Sequence, residues 1–255
     1  ALVLMTLLPM ERHGRLAMLD GTLVSCTLLL WWGWLGAQQH AWRALVAGLA
    51  CSGILLLKPP AVLGFGLIAA LVGGRRCWPS GTSWLALAMG LLPGVGWQLW
   101  HWHARGSDAL LMWGGQGLAR ITNSVGDGLG WWTPWVELLE GGWPWLLLLP
   151  AGLAYAWRQR WSAPGRWELG LLIGSAALVM PLRTQLPWYS HLLWPPLALL
   201  CGEGLHDLVV RQRHRWVSWS WCVLGILLLV MAGAGSALGP TGWPWPSLLL
   251  AGAGL

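Results

Sequence analysis

Long apolar stretches, each approaching the roughly 20 residues that carry a helix across a bilayer, recur along this 255-residue chain, and short connections between them hold most of the charge. That alternation leaves few folds open. Inside hydrocarbon every backbone N–H and C=O needs a partner within the chain, which admits only helices and closed barrels. A barrel would show short alternating strands, whereas LVSCTLLLWWGWL is unbroken. With 56% hydrophobic and 9% charged residues, the chain also lacks the Lys, Glu and Asp needed to cover a water-facing surface of this size.

The expected fold is therefore all-α: a polytopic transmembrane helical bundle of about eight full spans plus partial helices at both ends. The predicted spans are 16–36, 42–57, 60–74, 84–102, 143–158, 167–182, 187–205 and 216–236. Residues 1–255 read as one membrane-embedded domain. The first run, ALVLMTLLPM, is too short to span and the last, SLLLAGAGL, is cut short, so a fragment is expected.

Alternate connections sort the charges. Arg43, Arg75, Arg76, Arg158, Arg160, Arg166, Arg211, Arg213 and Arg215 fall on one side, which the positive-inside rule makes cytoplasmic. Arg12, Arg15, Lys58, Arg105, Arg120 and Arg183 fall on the other, balanced by Glu11, Asp20, Asp108, Asp127, Glu137 and Glu140. An integral, multi-pass protein of a plasma or inner membrane is implied, with the bilayer as one partner. The net charge of +6 forms no continuous basic stripe, which argues against nucleic acid.

Twenty-five Trp stand against one Phe. Many, including Trp31, Trp32, Trp34, Trp42, Trp84, Trp143, Trp145, Trp216 and Trp219, lie near span ends, where an amphipathic indole anchors at the headgroups. The outer connection 103–142 is the longest region without a span, and ALLMWGGQGLARI and PWVELLE within it read as short interfacial helices. The five cysteines show no CxxC or ligand spacing, and His101 and His103, two apart, sit on different helix faces. No cofactor is required; a divalent metal stays open as an alternative, although no ligand set for one is visible.

Chemistry concentrates in three outer turns. In MERHGRLAMLDG, Arg12 and Arg15 stand three apart, one helical face, while Asp20 falls in the first turns of the next span. In LLLKPPAVLG, Lys58 closes one span and Pro60 opens the next. In MPLRTQLPWYSHLLWPPLALL, Arg183 lies between Pro181 and Pro187, followed by the hydrogen-bond donors Tyr189 and His191. Cations at one depth in three turns suit a lipid-linked phosphate or pyrophosphate, whose charge needs several donors while its tail stays in the bilayer. Snorkelling of the arginines to headgroups is the plainer alternative.

The ordered set RHGRLAMLDGTL, LLLKPPAVLG, LLPGVGWQLWHWHARGSDALLMW and RTQLPWYSHLLWPPLALL resembles landmarks of the PMT and ArnT type of membrane glycosyltransferase, with the GT-C fold. The resemblance implies a polyprenyl-phosphate-linked sugar as donor, and transfer on the extracytoplasmic side to protein, lipid A or another acceptor. It implies that Lys58 matches the Lys of a Lys-Gly-Pro turn bound to the donor phosphate, with Pro59 replacing the Gly. Arg15 and Asp20 match an Arg and Asp of the family, and Tyr189 a phosphate contact. The catalytic acidic residue would lie upstream of Ala1.

The expected donor-phosphate group is thus Arg12, Arg15, Lys58, Arg183 and Tyr189, supported by Asp20, His13 and His191. The expected activity is inverting sugar transfer. The alternatives are a transporter or flippase of lipid-linked sugars, a polymerase or ligase of lipid-linked glycans, and a structural membrane subunit.

Overall fold

The computed structural model describes residues 2–7, 9–10, 19–114, 119, 130–211 and 215–238, and these are all-helical, without a strand. Among the described residues nine helices exceed two turns: α1 (Leu19–Gly36), α2 (Ala41–Leu57), α3 (Ala61–Gly73), α4 (Thr82–Arg105), α5 (Thr133–Gly141), α6 (Leu149–Arg158), α7 (Ala163–Val179), α8 (Trp194–His206) and α9 (Arg215–Leu238). Eight lie on the predicted apolar runs. The ninth, α5, lies on PWVELLE.

No helix among the described residues is long and apolar enough to cross a membrane. For α6 and α8 proline supplies a physical reason. Pro144 precedes a 3₁₀ segment, Trp145–Leu148, and Pro150 opens α6; Pro187 begins the 3₁₀ segment Pro187–Leu192 and Pro195 opens α8. The α-helical parts are shortened accordingly. At a rise of 1.5 Å per residue the 13 residues of α3 or α8 reach about 20 Å, against a hydrocarbon core of about 30 Å. The eight predicted positions are helical, but helix length lends no support to eight full spans.

Helix packing rests on small residues. At the crossing of α2 and α4, a Cβ on Gly48 would strike the Leu87 carbonyl oxygen, and one on Gly90 would strike the Leu45 carbonyl oxygen and come 2.7 Å from the Leu49 nitrogen. One turn on, a Cβ on Gly94 would lie 2.7 Å from the Ser52 Cα. The backbones therefore touch, as small-xxx-small pairs allow. A second such crossing seats Gly152 of α6 on the Leu200 carbonyl and Gly204 of α8 on the Leu148 carbonyl.

Ser52 also repairs α4 where Pro93 interrupts its hydrogen-bond ladder. Its hydroxyl lies 2.8 Å from the Gly90 carbonyl oxygen and 3.0 Å from that of Leu91, and accepts the Gly94 N–H at 3.0 Å. Ser52→Ala strands these buried groups. A loss of about 1–2 kcal/mol is expected, read as a lower unfolding midpoint of the purified protein.

The main core joins α1, α2, α3 and α7 through Leu30, Trp31, Ile54, Phe65, Ile68 and Leu171. Trp31 departs from its expected role: it is 3% exposed and meets Phe65 edge-on at 6.5 Å, because its position faces α3. Trp32, Trp42, Trp84, Trp143 and Trp219 are exposed, as interface anchors would be. A second cluster, Leu7, Val179, Tyr189, Leu193, Trp194 and Leu197, underlies the turn after α7.

Outward faces are apolar as well. Leu63, Leu67 and Leu71 of α3 form a stripe 68%, 59% and 72% exposed, and Leu85, Met89, Leu92 and Leu99 repeat it on α4. Such stripes have no favourable contact with water. Consecutive helices run back and forth, so Asp20, Lys58, Arg105 and Arg183 share one end of the bundle, and Arg43, Arg75, Arg76 and Arg158 the other.

Candidate functional site

The turn between α2 and α3 places Lys58. The Lys58 N–H still donates to the Ile54 carbonyl at 2.8 Å, but its backbone (φ −152°, ψ 79°) has left the helix, and Pro59 and Pro60 forbid continuation. Pro60, at φ −63° and ψ −24°, already has helical angles, so α3 starts at once. The result is a tight hairpin with a half-buried lysine at its apex.

The 3₁₀ segment Pro187–Leu192 brings up the second component. It packs against α1, α5, α7 and α8, and Tyr189 within it is 8% exposed. The Lys58 ammonium nitrogen lies 4.2 Å from the centre of the Tyr189 ring. A cation held over the negative face of a phenol ring is attracted by about 0.5–2 kcal/mol, more as water is excluded. Asp20, two residues into α1, lies within electrostatic reach of Lys58. Two residues selected from distant parts of the sequence, Lys58 and Tyr189, therefore meet at one end of the bundle, where α1 also begins, with Asp20 in its first turn.

Buried polar side chains crowd the same turn. Thr184, Gln185, Ser190 and His191 are each no more than 3% exposed. Gln185 went unnoticed in the sequence, yet it organises the loop. Its carboxamide nitrogen donates to the carbonyls of Val179 at 3.0 Å and Leu182 at 2.7 Å, capping the end of α7, while its oxygen has no hydrogen-bond partner among the described residues. The signal was the pair Pro181 and Pro187, which leaves carbonyls at a helix end needing an outside donor.

Arg183 does not join the group. It is exposed, and forms no hydrogen bond or ion pair among the described residues, because the bend after Pro181 turns Thr184 and Gln185 inward instead. His191 is buried in the wall of the turn. Arg12, His13 and Arg15 lie outside the described residues. Among the described residues no group of three or more His, Cys, Asp or Glu is placed to hold a metal ion.

A sharper signal for Lys58 was also overlooked. Fourteen of the 15 basic residues are Arg, and Lys58 is the single Lys. Where a chain takes Arg everywhere else, one compact ammonium on a flexible stem marks a position with its own requirement.

Tyr189→Leu removes the ring face beneath the ammonium, whereas Tyr189→Phe keeps it. Affinity for the lipid-linked phosphate expected from the sequence should fall about three- to tenfold in the Leu variant, and less in the Phe variant, in a direct binding titration. Equal loss in both would show that the hydroxyl, not the ring, matters.

No family model matches the chain, and no solved structure matches it. Curated relatives do, among them three that are each an undecaprenyl phosphate-alpha-4-amino-4-deoxy-L-arabinose arabinosyl transferase. The protein of Pseudomonas fluorescens is 34% identical over 120 residues, which is 43% of this chain and 22% of the relative. That of Pseudomonas paraeruginosa is 29% identical over 201 residues, 79% of this chain and 29% of the relative. That of Pseudomonas aeruginosa strain UCBPP-PA14 is 29% identical over 200 residues, 78% of this chain and 29% of the relative. The chain thus spans less than a third of the length of these proteins. Its curated homologues are undecaprenyl-phosphate-aminoarabinose arabinosyl transferases, glycosyltransferases of the PMT and ArnT type that its ordered landmarks resemble.

Proposed function

We propose that this chain is the donor-gripping portion of a membrane-embedded glycosyltransferase, and that Lys58 and Tyr189 hold the phosphate of a polyprenyl-phosphate-linked aminopentose. The observation that carries the reading is the Lys58 ammonium seated on Tyr189 with Asp20 in reach. The donor is the one for which the three relatives are named. Membrane embedding is supported by the exposed leucine stripes of α3 and α4.

In the reaction the acceptor attacks the anomeric carbon as the bond from that carbon to the phosphate oxygen breaks, with inversion. Negative charge grows on the departing phosphate, and a lysine ammonium held against it lowers the barrier. Arg12 and Arg15 complete the group in this reading, Arg183 guides the anion from outside, and Asp20 restrains the lysine. The acceptor's proton passes to a general base outside this cation group. The site faces the extracytoplasmic side, the side with the weaker positive excess.

Because Lys58 is the single lysine, acylation by an amine-specific reagent, read on its own peptide by mass spectrometry, reports occupancy at one side chain. Undecaprenyl phosphate is expected to slow that acylation several-fold, and undecaprenol, lacking the phosphate, to leave it unchanged. Equal rates with and without the phosphate would overturn the assignment.

A further inference from the structure

Six arginines gather at the end of the bundle opposite Lys58, and the way they are mounted points to a ligand. Arg43 is the most elaborate. Its side chain runs over Gly36, where any Cβ would collide with it, and its guanidinium carbon lies 4.6 Å from the Trp32 ring centre and 5.6 Å from that of Trp42. The two indoles, 5.3 Å apart, are 40% and 54% exposed. The Arg43 Nε is buried without a hydrogen-bond partner among the described residues. Thus the stem is fixed by packing, while no hydrogen bond to the described chain uses the fork of donors.

The hairpin between α6 and α7 repeats the mounting. Arg160 lies 4.9 Å from the Trp157 ring centre and 5.5 Å from that of Trp161, and donates through Nη1 to the Trp157 carbonyl at 2.9 Å. Trp157 and Trp161 are exposed. The third hairpin, between α3 and α4, turns at Gly74 (φ 58°) and leaves Arg75 and Arg76 exposed beside exposed Trp78.

The three hairpins form one surface. Trp84 meets both Trp34, at the end of α1, and Trp78 edge-on, at 6.4 Å and 6.3 Å. Arg166 at the start of α7 approaches the Gly73 carbonyl, at 3.5 Å. Segments 31–43, 73–84 and 157–167 contain Arg43, Arg75, Arg76, Arg158, Arg160 and Arg166 and not one Asp or Glu.

We infer that this end of the bundle is a binding surface for the phosphates of anionic phospholipids. An arginine whose guanidinium carbon sits over an indole is held in place, and the Nη donors it leaves unused suit the oxygens of a phosphodiester. The indole itself prefers the depth at which such phosphates lie. Snorkelling arginines with free stems would give charge without this mounting. The inference does not use the Lys58 site, and it places opposite ends of one molecule on different lipid phosphates: the carrier at one, the bulk bilayer at the other.

The test uses the full protein in neutral detergent. Its thermal midpoint is followed while phosphatidylglycerol, phosphatidylcholine, inorganic phosphate or poly-glutamate is added at matched ionic strength. Phosphatidylglycerol alone is expected to raise the midpoint, and salt to weaken the rise. Arg43→Gln with Arg160→Gln is expected to weaken phosphatidylglycerol binding about tenfold or more. Should that pair lower the starting midpoint, Arg75→Gln with Arg76→Gln, both exposed, decides the matter by reducing the rise without touching the core. Undecaprenyl phosphate protection of Lys58 stays unchanged in both pairs. An equal rise with phosphatidylcholine, with inorganic phosphate or with poly-glutamate would overturn the inference, as would a full phosphatidylglycerol rise in both arginine pairs.

Discussion

Lys58→Ala is expected to lower turnover of the polyprenyl-phosphate donor by about 10²–10³-fold in the full-length protein. The lysine occupies the apex of a hairpin whose path is set by Pro59 and Pro60, so truncating it leaves the backbone where it was. What disappears is a positive charge held 4.2 Å from the Tyr189 ring centre and within reach of Asp20. A pre-positioned charge of that kind acts most strongly where negative charge appears as the bond breaks. The loss should therefore appear mainly in kcat, with a smaller rise in KM for the donor. Lys58→Arg is expected to restore only part of the rate. It keeps the charge and can still stack on the ring, but a planar fork offers its donors in fixed directions instead of as a compact point charge, so the fit to the departing phosphate changes. Turnover in Lys58→Ala within a few-fold of the parent would exclude Lys58 from the reaction; full activity in Lys58→Arg would show that charge alone suffices.

How much of this was visible beforehand depends on the kind of information required. The α-helices of the bundle were legible because apolar runs ended at Pro, Gly or charge: the predicted run 42–57 became Ala41–Leu57, and 60–74 became Ala61–Gly73. Ends set by a specific cap were less so. Helix α7 starts at Ala163 because the Ser162 hydroxyl accepts the Gly165 N–H, several residues before its apolar run begins. The 3₁₀ entries to α6 and α8 were also missed, since hydrophobic periodicity does not separate a 3₁₀ turn from the α-helix that follows it.

The candidate site divides in the same way. Depth in the bundle follows from position along a helix, and Lys58 and Tyr189, from turns far apart in the sequence, stand together at one end. Rotation about the turn does not follow, and it separates inward-facing Tyr189 from outward-facing Arg183. Nor does pairing between helices follow from apolar content. Gly48, Gly90 and Gly94 held that information, because a residue without a Cβ is where two backbones can meet, but each reads as an ordinary helical glycine until its neighbour is known.

That crossing gives the largest stability effect to be expected. Gly90→Val adds a branched side chain at a point where even a Cβ would collide with the Leu45 carbonyl oxygen and approach the Leu49 nitrogen to 2.7 Å. Both obstacles are backbone atoms of α2, so no side-chain rotation relieves them, and the helices must separate. Separation would also draw Ser52 away from the Gly94 N–H and the Gly90 carbonyl, undoing the repair of α4 at Pro93. Overpacking alone costs about 1–3 kcal/mol, and the lost hydrogen bonds add about 1 kcal/mol more. That sum is a large part of a typical margin of about 5–15 kcal/mol. Gly90→Val is therefore expected to yield markedly less folded protein than the parent after extraction, as judged by size-exclusion recovery. Gly96→Ala is the control: it lies on the same helix, but a Cβ there meets nothing within 4 Å. The alanine should be neutral or stabilising by up to about 1 kcal/mol, the usual preference of a helix for Ala over Gly. Similar recovery for Gly90→Val and Gly96→Ala would mean that α2 and α4 do not meet backbone to backbone.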